Sequence, residues 1–102
     1  MAEYKNEKLE TSFSISDKLT VRQQLAWRSR LTMEQASEPD YFIRFWLATR
    51  NLLDNWQSQH IEDPMTFDID VSTDPKASNV IFWAVDKISD HLNSLESLEK
   101  KQ

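Results

Sequence analysis

The spacing of apolar positions changes several times along this chain, and each change predicts an element. Residues 1–12 are polar and mixed in charge, with Tyr4 and Leu9 as the apolar exceptions, which predicts a flexible N-terminal arm. Phe13-Ser-Ile15-Ser-Asp17-Lys-Leu19 alternates with a period of two and predicts a short strand with Phe13 and Ile15 on one face. Thr20 followed three residues later by Gln23 is a capping box, so a helix is expected from there to about Leu31. Val21 and Leu25 share one face of that helix, and Trp27 and Leu31 another. Thr32-Met33-Glu34-Gln35 repeats the capping signal after a break. Pro39 suits a first helical position, and a central helix is expected to run to Trp56. Tyr41, Phe45, Ala48, Leu52 and Trp56 form its main line, with Phe42, Trp46 and Leu53 beside it and Ile43 and Leu47 extending it. Arg44, Asn51 and Asn55 form a narrow polar strip, so much of the circumference seeks cover.

Residues 61–74 lose the helical spacing. Pro64 punctuates them, and Phe67-Asp68-Ile69-Asp70-Val71 alternates, predicting a strand that pairs with Phe13–Leu19 as a two-stranded antiparallel ribbon. Asp74 then caps a last helix with Pro75 at its first position. Ile81, Val85, Ile88, Leu92 and Leu95 form its core stripe, Ala84 lies alongside, and Phe82 and Trp83 point away. The lysines of Leu98-Glu99-Lys100-Lys101-Gln102 complement the helix C-terminus. The expected fold is mostly α: three to four helices with a short two-stranded ribbon, residues 13–102 forming one helical domain behind the arm.

Composition narrows the chemistry. The chain has 102 residues and a net charge of −5. It has no cysteine, so thiolate metal sites, disulfides and cysteine nucleophiles are excluded. It also has no glycine, where about seven would be average. Glycine loops that cradle phosphate and strained nucleophile elbows are therefore excluded too. The longest apolar run, Val80–Val85, is far below the ~20 residues of a bilayer span. Met1-Ala2-Glu3-Tyr4-Lys5 lacks the basic start and apolar stretch of a signal peptide, so a cytoplasmic location is expected. Residues 21–50 hold five arginines and three acids, whereas residues 51–99 hold ten acids and two lysines. The acidic second half would repel nucleic acid and anionic lipid.

Candidate reactive groups are few. His60 and His91 each follow a serine by two residues (Ser58, Ser89), with Asp63 and Asp90 nearby, but a hydrolytic triad needs three groups at hydrogen-bond distance and an oxyanion hole. Local spacing supplies neither, so no catalytic residue and no cofactor are expected. Asp68, Asp70, Ser72 and Asp74 match the first oxygen positions of a calcium loop. Thr73 then replaces the required glycine and Asn79 the bidentate glutamate, so no metal site is expected. Arg22, Arg28, Arg30, Arg44 and Arg50, with Trp27 and Tyr41 for stacking, are diluted by Glu34, Glu38 and Asp40, so nucleic-acid binding is not expected either. The aromatic surplus weighs more. Trp27, Trp46, Trp56 and Trp83 cannot share one helix face, and rings left over in so small a domain mark a partner groove or an oligomer interface.

The arrangement resembles the small tail assembly chaperones of long-tailed bacteriophages. The likeness lies in an alternating N-terminal segment running into Leu19-Thr20-Val21-Arg22-Gln23-Gln24-Leu25, and an aromatic central helix ending Leu52-Leu53-Asp54-Asn55-Trp56. An acidic connector and a terminal helix with Ile81-Phe82-Trp83-Ala84 complete it, over roughly residues 13–98. The resemblance implies a mostly helical, non-enzymatic viral protein that binds the aggregation-prone tape measure protein until the tail tube polymerises around it. Taken together, the residues and the likeness lead to an expected non-enzymatic assembly chaperone. Tyr41, Phe42, Phe45, Trp46, Trp56 and Trp83 would form its partner surface, Arg44 and Arg50 would set register by charge, and self-association through the same surface is an expected accompaniment. The alternative is a small acidic helical regulator or inhibitor that docks onto a folded partner as a nucleic-acid mimic.

Overall fold

The computed structural model describes residues 2–28 and 38–100. Three strands, β1 (Ala2–Asn6), β2 (Thr11–Ile15) and β3 (Leu53–Ser58), form an antiparallel sheet in the order β1-β2-β3. Among the described residues three helices accompany it, α1 (Val21–Arg28), α2 (Glu38–Thr49) and α3 (Pro75–Lys100), with a short 3-10 turn at Arg50–Leu52. The fold is therefore α+β, not mostly α with a two-stranded ribbon.

Three differences account for the correction. Residues 2–12, expected as a flexible arm, instead form β1 and the turn into β2, with Tyr4 opposite Phe13 and Asn6 opposite Thr11. Leu9 N–H donates to Asn6 Oδ1 (3.1 Å), and Glu10 closes the turn at φ 51°. A glycine-free chain has to place an ordinary side chain in the left-handed region there, at a cost of about 1–2 kcal/mol.

The central helix, expected to reach Trp56, ends at Thr49, whose Oγ1 donates to the Phe45 carbonyl at 2.7 Å. Leu53 is already extended (φ −80°, ψ 125°), and β3 pairs with β2, Ile15 opposite Leu53 and Thr11 opposite Ser58. Between Ser12↔Gln57 and Ser14↔Asp54 the register slips, so that Asn55 and Trp56 face one residue of β2. This bulge holds Asn55 at φ 54°, a conformation asparagine adopts more readily than most residues. Its Nδ2 donates to Ser14 Oγ at 2.8 Å, pinning the bulge.

Residues 67–71, expected as the ribbon's second strand, are turns. Asp68 accepts the Asp70 N–H on Oδ1 (2.9 Å), and its carbonyl accepts the Ser72 N–H (3.2 Å). Short-range carboxylate acceptors of this kind outcompete strand pairing.

Other elements agree with the sequence. The Thr20–Gln23 capping box is made reciprocally, Thr20 N–H to Gln23 Oε1 (2.9 Å) and Gln23 N–H to Thr20 Oγ1 (3.1 Å). Ile88 and Leu92 of the α3 stripe are fully buried, and Val85 nearly so. The second capping signal, Thr32–Gln35, lies outside the described residues.

The core sits between one sheet face and the helices α2 and α3. Phe13 and Ile15 project from the central strand into a cluster with Phe45, Trp46, Leu52, Val85, Ile88 and Leu92. Tyr4, Phe13 and Trp56 run across the three strands at ring separations of 5.4 and 5.8 Å. Trp83 meets Phe13 edge-on at 5.2 Å. Trp56 Nε1 donates to the Ile61 carbonyl at 2.6 Å, fastening the 59–74 loop to the sheet. Ile61, Ala77 and Val80 make a smaller cluster beneath that loop. Among the described residues no helix is long and apolar enough to cross a membrane.

Candidate protein-binding groove

A groove of about 360 Å³ opens between α2, α3 and the 59–74 loop. Phe42 and Ile43 come from α2, Phe67 and Ile69 from the loop, and Ile81 and Phe82 from α3. The fully buried Trp46 forms its floor. Phe42 and Phe82 lean together across the α2–α3 seam at 4.9 Å, yet Phe82 remains 59% exposed and Ile43 41%. Leu47, one turn beyond Ile43, is 45% exposed and carries the apolar surface further along α2. The volume lies near the lower end of ligand pockets, roughly 300–1,000 Å³. Among the described residues the lining contains Asp70 and Asp74 and no lysine or arginine, so one rim is acidic.

Asp74 has two duties. It caps α3, its Oδ1 accepting the Lys76 N–H at 2.9 Å, and its Oδ2 lies 3.3 Å from His60 Nδ1. The Lys76 hydrogen bond holds the Asp74 carboxyl below its ordinary value of 3.8; partial desolvation opposes this, and the His60 ring reinforces it. A folded-state pKa below the unfolded one means that the folded state binds that proton less readily. The contribution to stability is therefore present above about pH 4 and lost as acid titrates the carboxylate. Thermal melts should show a steeper loss of stability toward about pH 3 in the native chain than in Asp74→Asn, with the two curves running parallel near neutrality. Equal acid slopes would remove Asp74 from this role.

The residues expected to meet a partner are dispersed. Phe45 and Trp46 have no exposed surface and are core residues, because the sheet supplies the cover that a purely helical layout lacks. Trp56 and Trp83 are half-buried, engaged by Phe13. Among the described side chains, Phe42 is the one of the predicted set that forms a groove wall, with Trp46 beneath it. Arg44 is exposed on α2, whereas Arg50 turns to the loop, Nη1 donating to the Pro64 carbonyl at 3.3 Å. The Tyr41 side chain lies outside those described. Sequence reasoning missed Phe67, Ile69 and the acidic rim as groove residues. Phe82 carried the one available signal, an aromatic position off the α3 core stripe.

The histidines do not assemble a triad. His60 Nε2 is buried with no hydroxyl partner, and Ser58 Oγ accepts the His60 and Ile61 N–H groups instead. His91 is buried on α3, its Nε2 3.3 Å from the Ser16 carbonyl and 3.6 Å from Asp17, joining α3 to the end of β2. Among the described residues no group of three or more histidine or acidic side chains could hold a metal ion. No protein-family model, no curated protein and no solved structure matches this chain.

Proposed function

We propose that this chain is a non-enzymatic protein-binding assembly factor whose α2–α3 groove seats an apolar helical stripe of a client flanked by basic residues. The carrying observation is the pairing of an open aromatic wall, Phe42 and Phe82, with a rim of Asp70 and Asp74 that has no lysine or arginine among the described lining residues. Helix-in-groove recognition uses a few apolar anchors at i, i+3 and i+4, and a space of about 360 Å³ suits that number of side chains. Charge complementarity then selects lysine or arginine beside the stripe. The three-stranded sheet departs from the mostly helical fold that the phage chaperone resemblance implies, so the client class rests on the groove. A tape measure protein, long and aggregation-prone, is the client that the resemblance implies.

The full chain can be titrated calorimetrically with a synthetic amphipathic helical peptide that has a leucine stripe and lysine flanks. The expected result is binding at least tenfold tighter than for the same stripe with glutamate flanks, and at least tenfold weaker binding by Phe82→Lys. Binding that ignores Phe82 and vanishes at moderate salt would replace this reading with the acidic-mimic alternative. Absence of binding to either peptide would overturn it.

A further inference from the structure

Among the described side chains of α1, Gln23 and Gln24 are the half-buried ones, Gln24 Nε2 donating to the Leu19 carbonyl at 3.1 Å. Val21 and Leu25, one turn apart on the same face, are 70% and 63% exposed. A surface helix ordinarily turns such a pair inward, so the reversal leaves an apolar ridge facing out. Two exposed cations stand beside it, Lys18 and Arg22, with no acid between Lys18 and Arg28 and Asp17 just before them. These are the properties that the α2–α3 groove selects, two aliphatic anchors at i and i+4 beside positive charge. Among the described residues α1 contributes none to the lining of that groove, so the Val21–Leu25 ridge and the groove are separate places on one molecule.

We propose, resting on the client reading of this groove, that its occupant in the client-free protein is α1 of a second copy. Val21 and Leu25 enter beside Phe82 and Ile43, and Arg22 faces Asp70 and Asp74. Because two different surfaces meet, the contact is head-to-tail and leaves an unused ridge and an unused groove at the ends of every assembly. Association is therefore open-ended and grows with concentration. One short helix on a small groove lies below the ~1,200 Å² of stable interfaces, which sets the affinity on the order of 0.1–1 mM. Weak self-occupancy of this kind covers Phe82 while no client is present and yields by mass action to a tighter client stripe.

Sedimentation equilibrium of the full chain tests this with two exposed-site variants, Leu25→Lys on the ridge and Phe82→Lys in the groove. The native chain should exceed the dimer mass as concentration approaches about 1 mM. Each variant alone should remain monomeric, while an equimolar mixture of the two should form a dimer and stop there, since one intact groove and one intact ridge remain. Far-UV circular dichroism confirms that both variants are folded. A native chain that is monomeric throughout, or a mixture that fails to dimerise while the native chain associates, overturns the head-to-tail contact. The client reading fails separately. Leu25→Lys should still bind the lysine-flanked peptide at native affinity, and loss of peptide binding with the mixed dimer intact would remove the client and leave the self-contact standing.

Discussion

Replacing Trp46 with alanine should lower the free energy of unfolding by about 3–5 kcal/mol, a large share of the roughly 5–15 kcal/mol that holds a small domain together. The indole has no exposed surface, belongs to the main core cluster, meets Trp56 at 6.2 Å and forms the floor of the groove. Its removal leaves a cavity that α2 and the sheet cannot both close. One feature favours the lower end of that range: Trp46 Nε1 is buried without a hydrogen-bond partner, so truncation also relieves an uncompensated N–H costing about 1–3 kcal/mol. Urea unfolding followed by circular dichroism measures the difference. Phe82→Ala is the informative contrast. At 59% exposure it should cost under about 1 kcal/mol while weakening the lysine-flanked peptide, separating core from groove on neighbouring helices. A Trp46→Ala chain as stable as the native one would mean that the indole is not enclosed.

The elements legible in the sequence are those whose determinants lie within a few residues. The α3 start needs only Asp74 and Pro75, and its buried stripe repeats through Val85, Ile88 and Leu92. The α1 start needs only Thr20 and Gln23. Of the sheet, only the central strand was legible, expected at Phe13–Leu19 and found at Thr11–Ile15 with Phe13 and Ile15 both in the core; its two partners were not, because their evidence is distant. β1 has one large apolar residue, Tyr4, and becomes a strand by pairing with residues 11–15. β3 was hidden more thoroughly. Leu52 and Trp56 continue the α2 stripe at helical spacing, while the signals that end the helix, Thr49 bonding back to Phe45 and Asn55 adopting a positive φ, are conformational choices that residue type only permits.

The same blindness shaped the reading of the site. Counting rings against a helical body suggested that some of them remain outside. The sheet gives them a surface to cover: Trp56 is itself a strand residue and Trp83 lies against Phe13. Among the described aromatic rings Phe82 is the one classed as exposed, with Ile43 and Leu47 exposed beside it on α2. The wall opposite comes from Phe67 and Ile69, held in turns made by Asp63 and Asp68, and turn segments carry no periodicity that would announce a groove. The surplus of apolar surface survives in the structure, moved from the middle of α2 to its seam with α3.

Phe13→Ala should be as damaging as the loss of Trp46, again about 3–5 kcal/mol, for a different reason. Phe13 is 3% exposed at the centre of the sheet, with Tyr4 at 5.4 Å, Trp56 at 5.8 Å and Trp83 at 5.2 Å, so one truncation strips contacts from all three strands and from α3 together. A large loss alone would also fit a two-stranded ribbon, in which Phe13 faces a helix. The discriminating quantity is its coupling to Tyr4. In the sheet the two are directly paired across β1 and β2, so a double-mutant cycle with Tyr4→Ala should return a coupling of about 0.5–1.5 kcal/mol. If residues 2–6 formed an unattached arm, Tyr4→Ala would be silent and the coupling zero. The cycle thus measures whether β1 closes the aromatic row, and a zero would return the N-terminal segment to the arm that its weak pattern suggests.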